Sequence, residues 1–147
     1  MKRTMLVTLV TLLLSVASFV VAGDFGTADE AKAMLEKAVA AIKADKAGAL
    51  AQFTKGEGGF KDRDLYPFCG GPDGNFTAHP TLVGKSLKDL KDKAGKALGE
   101  DIYATAKDGN IGEVSYMWPR PGTTEPVQKI SFVTKVDDQV CAVGYYK

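Results

Sequence analysis

Lys129 stands inside an otherwise apolar run, Val127 to Val136. A buried ammonium is costly unless it meets water, an acid or a ligand. Val114, Tyr116 and Trp118 alternate on an earlier run and share one strand face. A cation beside an aromatic wall with hydroxyl groups suits a small carboxylate. The other reading of Lys129 is a solvent-facing lysine that protects a sheet edge. His79 precedes Pro80 at the end of a short strand. It is either a hydrogen-bonded structural histidine or a pocket residue. Tyr103 lies on a short helical stretch, and its hydroxyl could reach down into a pocket beneath. Arg63 and Tyr66, which flank a short strand, are weaker candidates.

Catalytic patterns are missing. There is no Gly-x-Ser-x-Gly elbow, His-Glu-x-x-His pair or phosphate-binding glycine loop. Gly56-Glu57-Gly58-Gly59 has no strand before it and reads as a loop. Two cysteines and one histidine fall short of the four ligands of a structural zinc site. The chain is therefore expected to bind rather than catalyse, and to need no cofactor. Acids and bases are mixed along the sequence and the net charge is +1. No basic face marks a nucleic-acid partner. The lysines of Lys85–Lys96 are interrupted by Asp89 and Asp92, as on a solvated helix face.

The first residues set the compartment. Lys2 and Arg3 precede an apolar run from Leu6 to Ala22, and the chain turns polar at Gly23 and Asp24. That order describes a secretory signal peptide over residues 1–22, with an uncleaved anchor as the alternative. Residues 23–147 then form one domain of ordinary size, expected to be periplasmic or secreted. In an oxidising compartment Cys69 and Cys141 are expected to form a disulfide. Two buried free thiols are the other possibility.

The elements that position these residues follow from periodicity. Thr27 and Glu30 form a capping-box pattern. Ala31, Met34, Leu35, Ala38, Val39 and Ile42 then recur at helical spacing. A second helical piece is predicted from Asp45 to Phe53. Leu65–Cys69 and Phe76–His79 flank a dense turn and read as a hairpin. Ser86 could cap a short helix over Leu87 and Leu90, and another helical piece spans Ala97–Ala106. Gly112–Trp118, Val127–Val136 and Gln139–Tyr146 read as a strand meander. Helices and strands are segregated, which gives an α+β fold with an antiparallel sheet.

The residues filling this order resemble those of the single Cache domain family. Tyr66-Pro67-Phe68-Cys69, Asp73 through Pro80 and Leu82-Val83-Gly84-Lys85 are similar to its strand, turn and following stretch. Gly112–Trp118 and Val127–Val133 resemble two later strands, and Val143-Gly144-Tyr145-Tyr146 its closing strand. Gln139-Val140-Cys141 stands where members often carry a Trp. The resemblance implies a long N-terminal helix packed on a five-stranded antiparallel sheet of PAS-like form, with a pocket on the other face. It places the strands carrying Cys69 and Cys141 side by side. It also implies a small-molecule sensor for a short organic acid, held by Lys129, Tyr116, Trp118, His79 and Tyr103. With no second apolar run, any signal would pass through a partner such as a membrane receptor or kinase. The alternative is a structural or interaction protein that keeps the fold without a ligand.

Overall fold

The computed structural model describes residues 23–147, so the expected signal peptide lies outside the described residues. Helix α1 runs Ala28–Ala44. Its N-terminus is closed by the capping box: the Glu30 amide donates to Thr27 Oγ1 at 3.3 Å, and the Thr27 amide donates to Glu30 Oε2 at 2.8 Å. Two orphan amides of the first turn are thereby satisfied. Asp45 caps α2, Lys46–Lys55, by accepting from the Gly48 amide, and Gly56 ends it in a left-handed conformation. Strands β1, Pro67–Gly70, and β2, Phe76–Ala78, form the expected hairpin. Helix α3 spans Leu98–Thr105. Strands β3, Gly112–Pro119, β4, Pro126–Val136, and β5, Gln139–Tyr146, form the meander.

All five strands make one antiparallel sheet in the order β2-β1-β5-β4-β3. The last strand therefore lies beside the first, and Cys69 pairs in register with Cys141. The two are joined as a disulfide. Alternation sends successive side chains of each strand to opposite faces. On one face Phe132, Val136, Cys141 and Val143 pack under α1 and α2, against Leu35, Ile42 and Phe53. On the other, Val114, Tyr116, Val133 and Ala142 meet Leu87, Leu98 and Ile102 from the connecting segment and α3.

The connection from β2 to α3 departs from the sequence reading. Residues 87–90 make a single turn, not a helix, with the Leu90 amide on the Leu87 carbonyl. Asp92 is buried rather than part of a solvated face. Its carboxylate accepts from the amides of Ala94, Lys96 and Met117 at 2.8–2.9 Å. An aspartate that gathers three amides competes with helix formation and ties this segment to the β3 edge. The start of α3 lies so close to residues 87–88 that a Cβ at Gly99 would collide with their carbonyls.

Candidate ligand pocket

The pocket lies between the sheet and the segment pinned by Asp92. Tyr66, Phe68, Phe76, His79, Leu87, Leu90, Leu98, Ile102, Tyr116 and Trp118 line it. The cavity is small, about 20 Å3, room for about one water. That is far below the ~300–1,000 Å3 usual for drug-sized ligands. Tyr66 and Trp118 also line an outer cleft with Lys61, Pro80, Thr81 and Arg120.

Lys129 sits in the sheet floor, 1% exposed. In β4 it pairs with Tyr116 on one side and Tyr146 on the other. Its stem crosses β5 at Gly144, where a Cβ would collide with Lys129 Cε. Its Nζ donates to the Tyr66 hydroxyl on β1's lead-in at 3.1 Å. It also lies 4.4 Å from the Tyr66 ring centre and 4.8 Å from that of Tyr146. Burial acts against the ammonium; charge interaction with Tyr116, Tyr66 and Tyr146 and the Tyr66 hydrogen bond act for it and raise its pKa. At neutral pH these phenols are uncharged, and the Tyr66 oxygen and the Tyr66 and Tyr146 ring faces are what support the charge. No carboxylate lies within 4.0 Å of it among the described residues. The sheet-edge reading of Lys129 is thereby overturned, because β4 is flanked by β3 and β5.

The neighbours add donors. Burial pushes the Tyr116 and Tyr146 hydroxyl pKa values up, so both keep their protons. Tyr116 shares a 2.8 Å hydrogen bond with Ser131, and Tyr146 donates to the Pro119 carbonyl. Tyr66 accepts from Lys129, and its own O–H has no acceptor among the described residues. His79 packs edge-on to Tyr66 and Phe76. Burial first, and the Lys129 charge second, push its pKa down to about 4. The ring is therefore neutral at pH 7. Its Nδ1 accepts from the Thr81 amide at 3.0 Å, which assigns the proton to Nε2. That N–H also has no acceptor among the described residues.

Three of the five sequence-derived candidates, Tyr116, Trp118 and His79, line this cavity; Lys129 lies behind the wall and reaches it through the Tyr66 hydroxyl. Tyr103 does not face the cavity. Its hydroxyl donates to the Gly71 carbonyl at 2.7 Å and is already engaged. Tyr66, a weak candidate by sequence, is the lysine's hydrogen-bond partner, and Tyr146 and Gly144, absent from the sequence candidates, complete its surroundings. Gly144 stands in the closing Val-Gly-Tyr-Tyr pattern, a signal that a backbone there is approached closely.

The model of the dCache_2 Cache domain matches residues 28–146, and the chain belongs to the Cache domain family. It is 38% identical over 56 residues to the methyl-accepting chemotaxis protein McpP of Pseudomonas putida, covering 38% of this chain and 10% of that protein. It is 35% identical over 85 residues to the sensor histidine kinase MctS of Rhizobium johnstonii, covering 56% of this chain and 18% of that protein. The chain thus spans under a fifth of either relative. A structure described as the periplasmic sensor domain of a chemotaxis protein superposes with a TM-score of 0.60 at 28% identity, covering 80% of this chain and 88% of that one. A Cache chemosensory domain described for carboxylic acid recognition superposes with a TM-score of 0.56 at 24% identity, over 78% and 84% of the two chains, and shows the shared fold.

Proposed function

We propose that this Cache domain is a periplasmic or secreted sensor module for a short organic acid, held by Lys129, Tyr66 and His79 between the walls of Tyr116 and Trp118. One observation carries the reading: at and just behind the pocket wall, donors outnumber acceptors. Lys129 is charged and buried without a carboxylate partner, and Tyr66 O–H and His79 Nε2–H are both unspent. A carboxylate supplies acceptor capacity and the missing charge at once. The cavity has room for about one water, so an acid of a few heavy atoms must open it on binding. Relatives among chemoreceptors and sensor kinases support a signalling role that passes through a partner protein. The periplasmic placement of a similar sensor domain supports export. Residues 1–22 then act as a signal removed near Gly23, which intact mass of the exported protein checks.

Thermal unfolding in a series of two- to five-carbon carboxylates tests the reading. An acid at a hundredfold excess over its Kd adds about 2.7 kcal/mol of stability. A neutral amide of the same skeleton should add nothing. The small cavity is the observation that favours the alternative, a module that keeps the fold without a ligand. If no acid shifts the unfolding, that alternative stands.

A further inference from the structure

Tyr146 is shared by two cations. Lys129 Nζ lies 4.8 Å from its ring centre and the Arg120 guanidinium 5.1 Å from it. Arg120 also lies 4.2 Å from the ring of Phe25, which precedes α1 and is 52% exposed. Its Nε stands 3.6 Å from Asp64 Oδ2, and both atoms are buried without a hydrogen bond. The other Asp64 oxygen accepts from the Gly26 amide at 2.7 Å. Next to it, Arg63 is held in a left-handed conformation and donates to the carbonyls of Gly23 and Phe25. The segment leading into α1 is therefore clasped by Arg63, Asp64 and Arg120. Two of these stand two residues from pocket walls, Asp64 from Tyr66 and Arg120 from Trp118.

We infer that Arg120 couples the charge state of the pocket to the grip on Gly23–Thr27. In the free protein the like charges of Lys129 and Arg120, both packed on the Tyr146 ring, repel, which favours the Arg120 position against Asp64. A carboxylate that neutralises Lys129 removes this repulsion and presents a negative charge near Arg120. The Arg120–Asp64 contact, which has no hydrogen bond to hold it, then loosens. Gly26 loses the support of a fixed Asp64, and the exposed Phe25 ring loses its guanidinium cover. Occupancy of the pocket would thus be felt at the entrance to α1. This rests on the acid-sensor reading for its natural trigger, but not for its test.

The test is hydrogen exchange of the Gly26 amide in the ligand-free protein. Lys129→Met removes the repelling charge and should quicken Gly26 exchange severalfold. In an Arg120→Met background the same substitution should have no further effect. The Gly48 amide, bonded to Asp45 Oδ1 at the α1–α2 junction, reports general loosening and should stay unchanged. Unchanged or slowed Gly26 exchange in Lys129→Met, or an equal change at Gly48, overturns the coupling. So does an equal effect of Lys129→Met with and without Arg120. Propionate added to the parent should act in the direction of Lys129→Met. Propionate that raises thermal stability while leaving Gly26 untouched overturns the coupling and leaves the sensor reading standing. Absence of any propionate shift counts against the sensor reading, while the variant cycle still decides the coupling.

Discussion

The Lys129 stem crosses the sheet over Gly144, in the space that a side chain at 144 would fill. The lysine on β4 can reach Tyr66, 63 residues away in sequence, because the intervening strand is bare at this point. Gly144→Ala should therefore push the stem aside. Overpacking of this kind costs about 1–3 kcal/mol, to be read from urea unfolding. Carboxylate binding should fall with it, because Nζ no longer reaches Tyr66. A Gly144→Ala protein with parental stability and affinity would show that the lysine does not depend on this gap.

Lys129→Met separates the charge from the packing. Replacing a buried ion by an apolar side chain of similar shape is often neutral or stabilising, so the variant should fold with at least nearly parental stability. A charge-assisted hydrogen bond contributes about 1.5–3 kcal/mol, so affinity for the best carboxylate should fall about ten- to hundredfold. Calorimetric titration measures the change. Undiminished affinity would move the site away from Lys129.

Much of this arrangement was legible in the sequence. The Thr27–Glu30 box and the apolar stripe from Ala31 to Ile42 specify α1 locally, so nothing distant could override them. Alternation placed Tyr116, Trp118 and Lys129 on one sheet face, because period two fixes a strand's faces once its register is known. Tyr66 and Tyr146 were not legible as partners of Lys129. Their contact depends on β5 lying between β4 and β1, a fact of topology rather than spacing. The Leu87 and Leu90 spacing suggests a helix, but the chain leaves it after one turn and is folded back where Asp92 gathers the amides of Ala94 and Lys96. Tyr103 was placed on the correct layer, but the Gly71 carbonyl takes its hydroxyl.

The Cys69–Cys141 bridge closes a loop with a sequence separation of 72 between neighbouring strands. On the chain-entropy account a loop of that length adds about 4 kcal/mol by restricting the unfolded chain. The double variant Cys69→Ala/Cys141→Ala should lose a large part of that, with further loss from the two small voids beneath α1. Chemical denaturation of parent and variant, each without reductant, measures the difference. Alkylation of the unreduced parent should label neither cysteine. Equal stabilities would place the bridge's contribution within native-state compensation rather than loop closure.

His79 makes the fold sensitive to acid over a defined window. Its folded pKa is about 4, against about 6.5 in an unfolded chain. Between these values the unfolded state binds a proton that the folded state does not, so stability rises with pH there and is lost as pH falls. The stabilisation is present in full above pH ~6.5 and gone below the folded pKa; a shift of this size corresponds to about 3 kcal/mol. Urea midpoints measured from pH 7 to pH 4 should decline, and His79→Gln should flatten that part of the decline. Lys129 supplies the second cause of the depression, so Lys129→Met should move the His79 pKa upward in an NMR titration. A bound carboxylate should move it further in the same direction, because a nearby negative charge favours the imidazolium. A His79 that titrates near 6.5 in the parent protein would mean that the ring is solvated and stands outside the pocket.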